Sequence, residues 1–185
     1  MGVTPAVHWW ADQLVSAGRR VVLPDLYGGV TVATEDEAEE LAQATLSDPA
    51  AAPFIERCAD DLAADGVPWA AMRFSMGAYL ACSLASRGDA GPADLILVYG
   101  GRPPPVGDVR TRHVDMHVAP GDPWFEDEEL AACEGGFRNA GSEVTVHRYE
   151  GAGHWFAEEG SPGYEPTAAA LARDRILDRL RVAGG

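Results

Sequence analysis

Apolar runs closed by turn residues alternate with amphipathic stretches along the whole chain, the rhythm of strands and helices that build a parallel sheet covered on its faces. Residues 4–18 carry Val7, Trp10, Ala11 and Leu14 on one face at helical spacing, which predicts a first helix. Arg20-Val21-Val22-Leu23, stopped by Pro24, reads as a buried strand. Two acidic helices follow near 35–46 and 52–65. Trp69 to Phe74, just after Pro68, predicts the next strand, and Met76-Gly77-Ala78-Tyr79-Leu80-Ala81 a helix entered directly from Ser75. Leu95 to Tyr99 is a further strand, and Gly100-Gly101-Arg102-Pro103-Pro104-Pro105 must be loop, because its prolines can extend neither a ladder nor a helix. Val114 to Val118, a helix from Glu126 to Ala140, a last strand from Glu143 to Tyr149 and a closing helix from Thr167 to Val182 complete the alternation.

Composition narrows the class of protein. At 185 residues the expectation is one domain, 1–185, with room for a sizeable core. Hydrophobic residues make up 46% of the chain and charged ones 23%, which fits a soluble globular protein and argues against disorder. The net charge is −15, and all 14 basic residues are arginine. Such a surface repels phosphate backbones and anionic lipid, so the expected partner is a small molecule rather than nucleic acid or a membrane. Cys58, Cys82 and Cys133 are odd in number and far apart, with no Cys-x-x-Cys or Cys/His clustering. Neither a disulfide framework nor a metal site is expected, and reduced thiols point to the cytoplasm. No leader pattern opens the chain, and no apolar run reaches the ~20 residues of a membrane span.

Three residues on three predicted loops carry the candidate chemistry. Ser75 lies in Arg73-Phe74-Ser75-Met76-Gly77, where a strand passes straight into a helix and Gly77 lets the turn close. Such a turn lifts a hydroxyl above the sheet and aims the next amide, that of Met76, at a developing oxyanion. Asp122 follows a strand in Gly121-Asp122-Pro123, and His154 follows the last strand in Gly151-Ala152-Gly153-His154. Two of them have an ordinary alternative: a helix N-cap for Ser75 and a turn-forming side chain for Asp122. Asp115 sits inside a strand, and Asp108 and Asp127 in a remote loop and a helix. His117 and His147 lie within strands, His113 at a strand start and His8 in the first helix. Serine, aspartate, histidine, each on a turn after a strand, is the chain order of α/β-hydrolase triads. A serine hydroxyl becomes a nucleophile only when an imidazole takes its proton and a carboxylate holds that ring in the right tautomer.

Val22-Leu23-Pro24-Asp25-Leu26-Tyr27, Phe74-Ser75-Met76-Gly77, the Gly121-Asp122 turn and Tyr149-Glu150-Gly151-Ala152-Gly153-His154-Trp155-Phe156 together resemble the dienelactone hydrolase family, over about Gly2 to Leu180. The resemblance implies an α/β-hydrolase fold, a mostly parallel central sheet flanked by helices. It also implies cleavage of a small ester or lactone by Ser75, with His154 as base then acid, Asp122 as orienter and the Met76 amide as oxyanion donor. Tyr27, Tyr99, Trp124, Trp155 and Phe156 are candidates for the wall of an apolar pocket, and no metal or organic cofactor is expected.

Four departures qualify the resemblance. The family's first core strand has no counterpart ahead of Gly2; it is expected between the segments at 20–23 and 69–74, and its following loop supplies the second oxyanion amide. Arg73 stands where the elbow usually has glycine. Gly29 and Glu158 stand where the family has substrate-gripping arginines, which turns the expectation from an anionic lactone to a neutral, small ester or lactone. The alternative is a catalytically silent or N-terminally truncated member serving in binding or assembly.

Overall fold

The computed structural model describes residues 2–32 and 34–182. Helix α1 (Pro5–Ser16) starts where the sequence sets a cap and a proline: the Thr4 side chain accepts from the Val7 amide, and Pro5 takes the first turn. It ends at Gly18, whose φ of 82° allows the reversal that closes the last turn. Helix α2 (Glu35–Ser47) opens with a reciprocal capping box between Thr34 and Glu37 and three acidic residues in its first turn. Helix α3 (Ala51–Ala63) follows it.

The sheet has four strands, β1 (Ala70–Phe74), β2 (Asp94–Val98), β3 (His113–Val118) and β4 (Glu143–Arg148), in spatial order β1-β2-β3-β4 and all parallel. Helix α4 (Met76–Ala81) leaves β1 through Ser75, α5 (Asp127–Asn139) joins β3 to β4, and α6 (Pro166–Val182) closes the described chain. Strand β2 is buried throughout, as expected of a parallel strand covered on both faces. One core layer gathers Leu95, Leu97, Val114 and Met116 with Phe137 of α5 and Ala78 of α4. The other packs Ile96 and Val98 against Trp10 of α1, Phe156, and Ala172 and Ile176 of α6.

The expected strand at Arg20–Leu23 does not form. Its Val-Val-Leu composition suits a strand, yet a strand exists only against a ladder partner, and this segment has none. Val22 is 43% exposed, and a cavity separates the segment from β1. Strand β1 is therefore an edge among the described residues, with β2 its one partner. The Ser75 amide donates to Val98 and the Trp69 carbonyl accepts from Ala93, so alternate residues Ala70, Met72 and Phe74 turn their backbone groups toward the open side. The Arg73 guanidinium bonds the Met72 carbonyl there.

Candidate active site

Ser75 has φ 48° and ψ −124°, a region that side chains other than hydrogen rarely occupy and that costs on the order of 1–3 kcal/mol. One tertiary bond and the first turn of α4 hold it there: its amide donates to Val98, and its carbonyl accepts from Ala78 and Tyr79. Gly100 passes so close that a Cβ there would lie 2.5 Å from the Ser75 carbonyl oxygen. The side chain makes no capping bond to α4, so the N-cap alternative does not describe its hydroxyl. Ser75 Oγ instead lies 3.0 Å from His154 Nε2.

The other two sequence candidates meet at the same place. His154 Nδ1 is 2.7 Å from Asp122 Oδ2, and both side chains are almost fully buried. Asp122 is also the turn former that its local sequence suggests, because Oδ1 accepts from the Trp124 amide at 2.9 Å. One carboxylate oxygen thus serves the turn and the other faces the imidazole. The result is a hydrogen-bonded chain from a buried carboxylate through an imidazole to a hydroxyl, with the carboxylate pinned from its far side. Three non-glycine residues with positive φ, Ser75, Tyr99 and Trp155, all lie around this chain.

The hydroxyl opens onto a cavity of about 760 Å³, lined on one side by the 18–27 segment and on the other by β1 and its elbow. Tyr27, Tyr99, Trp124 and Trp155 are among the residues that line it, with Trp124 43% exposed. The Tyr27 hydroxyl reaches the Met76 sulfur at 3.9 Å. Phe156 does not belong to this wall: it is fully buried, packed on Tyr99 and Tyr149. It follows Trp155 by one residue, and the chain at Trp155 (φ 63°) turns Phe156 into the core. The Met76 amide opens α4, where no earlier helical carbonyl can accept from it.

Arg73 does not crowd the elbow. Its stem packs over Gly77, where a Cβ would meet it at 3.5 Å, on the sheet face opposite Phe74. Burial pulls its guanidinium below the ordinary arginine value. Glu158 is buried in the cavity wall, and its Oε1 accepts from the Tyr99 hydroxyl. Burial pushes the Glu158 carboxyl up; burial and then the nearby Glu158 charge raise both Tyr99 and Tyr27. Gly29, at φ 87°, sits in an exposed turn held by Asp25 Oδ2.

A second polar cluster lies under α6. Asp115, His117 and His147 place their donor atoms within 4.8 Å of one another, the geometry of a metal-ligand set that spacing in the sequence does not reveal. Arg179 of α6 already takes both Asp115 oxygens, at 3.2 and 3.1 Å, and Arg175 lies over the Tyr149 ring. The helix thus supplies the positive charge that a cation would bring. Burial would raise the Asp115 carboxyl, but hydrogen bonds from His147 and Arg179 outweigh it and hold the group low. Burial takes His117 down to about 3, and its Nδ1 pairs with the Tyr149 hydroxyl at 2.7 Å. The three cysteines are free thiols, Cys82 and Cys133 buried.

Two supports of the site went unread in the sequence. Trp10 Nε1 donates to the Ala157 carbonyl at 2.9 Å, tying the histidine loop to α1 across the fold. Gly163 lies against the His154 carbonyl, where a Cβ would come within 1.9 Å. The buried tryptophan indole, which needs an acceptor, was the available signal for the first; the second had none.

Comparison with known proteins agrees with this architecture. The family model described as "Dienelactone hydrolase family" matches residues 1–183. Among solved structures, a dienelactone hydrolase-like promiscuous phosphotriesterase from metagenomic libraries is similar at a TM-score of 0.83 and 23% identity, covering 100% of this chain and 83% of its own. A Klebsiella pneumoniae protein assigned as a dienelactone hydrolase reaches 0.75 at 16% identity, over 96% of this chain and 81% of its own. A Bacillus cereus carboxylesterase reaches 0.50 at 17% identity, over 76% and 62%. No curated protein matches significantly. With a mostly parallel sheet, an elbow at the end of β1 and a family match along nearly its whole length, the chain belongs to the dienelactone hydrolase family of α/β-hydrolases.

Proposed function

We propose that this family member is a serine hydrolase of small carboxylic esters or lactones that works through an acyl-serine. The observation that carries the reading is the continuous relay Asp122 Oδ2, His154, Ser75 Oγ, at 2.7 and 3.0 Å, ending on a strained elbow that opens into the cavity. In this reading His154 Nε2 takes the Ser75 proton as Oγ attacks the carbonyl carbon, and Asp122 stabilises the imidazolium at Nδ1. The Met76 amide donates to the oxyanion. His154 then returns the proton to the departing alcohol oxygen. Water, activated by the same imidazole, releases the acid and frees Ser75.

The test is a p-nitrophenol burst from a short-chain p-nitrophenyl ester, stoichiometric with protein and absent in Ser75→Ala. A folded protein with no turnover above that control refutes the reading and leaves the binding role.

A further inference from the structure

Glu158 is a carboxyl group in the same cavity that the relay does not use. It is only 8% exposed and faces the cavity, and its one assigned bond comes from the Tyr99 hydroxyl on Oε1. Among the described residues no arginine or histidine forms an ion pair with it. The arginines that share the cavity wall are engaged elsewhere: Arg19 with the Leu180 carbonyl, Arg20 with Asp65, and Arg73 with the Met72 carbonyl. A carboxylate buried beside a catalytic-type relay, opposed only through space by the α-amino group and His154, is expensive, and such groups concentrate where a ligand supplies further positive charge.

The rest of the wall suits the same ligand. Tyr27, Tyr99, Trp124 and Trp155 present aromatic rings to the cavity, and ring faces attract cations, most strongly when water is excluded. Tyr99 and Trp124 both pack on His154, with ring centroids 4.8 and 6.1 Å away, so a group held by them lies close to the reacting atoms. A net charge of −15 draws cations toward the protein as a whole.

We infer that Glu158 and this aromatic wall form a subsite for an ammonium group, so that the favoured ester carries a quaternary or protonated amine a few bonds from its carbonyl. This deepens the esterase reading and rests on it. A purely structural part for Glu158, holding the Tyr99 hydroxyl, makes a different forecast, because a glutamine carbonyl accepts that bond equally well.

The experiment compares the p-nitrophenyl ester of a trimethylammonio-butanoic acid with its uncharged tert-butyl isostere, each kcat/KM divided by the rate of hydroxide hydrolysis. The native protein is expected to favour the cationic ester by on the order of 10- to 100-fold, and Glu158→Gln to bring that ratio close to one. Calorimetry on Ser75→Ala with the two corresponding alcohols reads binding without chemistry and should show the same preference. A ratio near one in the native protein, or a preference that survives Glu158→Gln, overturns the subsite. If neither ester is cleaved while Ser75→Ala binds the ammonium alcohol more tightly and the added Glu158→Gln change removes the difference, the esterase reading fails and the subsite stands. Equal binding of the two alcohols overturns the subsite whatever the ester rates.

Discussion

Replacing Asp122 by asparagine separates the turn contact from the proposed relay contact. Oδ1 accepts from the Trp124 amide at 2.9 Å, and Oδ2 faces His154 Nδ1 at 2.7 Å. Asparagine fits the same space and is as good a turn former, so a merely structural aspartate predicts little change. Its orientation is not free, however. Turning the amide nitrogen toward Trp124 would set donor against donor and leave a buried amide unpaired, at about 1–3 kcal/mol. The carbonyl therefore stays on Trp124, and the new N–H donates to Nδ1 of His154. That forces the imidazole proton onto Nε2, the atom 3.0 Å from Ser75 Oγ, which then donates where it must accept. In serine hydrolases of this logic the wrong tautomer costs about 10,000-fold in turnover, which at 1.36 kcal/mol per decade is roughly 5.5 kcal/mol of transition-state stabilisation. The assay is kcat/KM on a p-nitrophenyl ester, beside a thermal melt showing stability within about 1 kcal/mol of native. A loss smaller than about tenfold in the folded variant would refute the relay.

Ser75→Gly should be more stable than Ser75→Ala by about 1 kcal/mol in denaturant unfolding, although both abolish the burst, because only glycine relaxes at φ 48°. Equal stabilities would show that the elbow is unstrained. Gly163→Ala, whose Cβ would come within 1.9 Å of the His154 carbonyl, should lower kcat/KM more than tenfold through displacement of the histidine loop; unchanged kinetics would contradict the close approach. The pH dependence of stability should carry the mark of His117, whose folded value near 3 lies below the ordinary 6.5. A depressed histidine contributes stability that is fully present above its unfolded pKa. That stability is lost as pH falls from about 6.5 toward 3, by up to roughly 1.4 kcal/mol per pH unit. In urea titrations His117→Gln should flatten that slope, and an unaltered slope would show that the ring is not buried neutral.

The positions of the elements were legible because local chemistry and the fold agree at each of them. Thr4-Pro5 and Thr34 with Glu37 mark helix starts, and Leu95 to Val98 reads as a strand buried on both faces. The reading failed at Arg20–Leu23, where strand-like composition met no partner. Ladder hydrogen bonds come from a neighbouring strand, which no local pattern contains. Phe156 was misread for a related reason: adjacent aromatics share a composition, but the φ of 63° at Trp155 sends one to the cavity and the other to the core.

The sequence by itself determined the residue types and order of Ser75, Asp122 and His154, and the strand-to-loop positions that make a relay among them conceivable. Their separations of 47 and 32 residues carry no distance. Tertiary structure brought the three to 2.7 and 3.0 Å, because parallel strands in order β1-β2-β3-β4 present all their carboxyl-end loops along one edge. It also decided what no spacing could encode: the left-handed serine held between Val98 and Gly100, the guanidinium of Arg73 bonded to the Met72 carbonyl at the open edge of β1, and the Glu158 carboxyl buried in the cavity wall. Each depends on backbone groups far apart in the chain closing on one another, and that closure is set by packing rather than by local propensity.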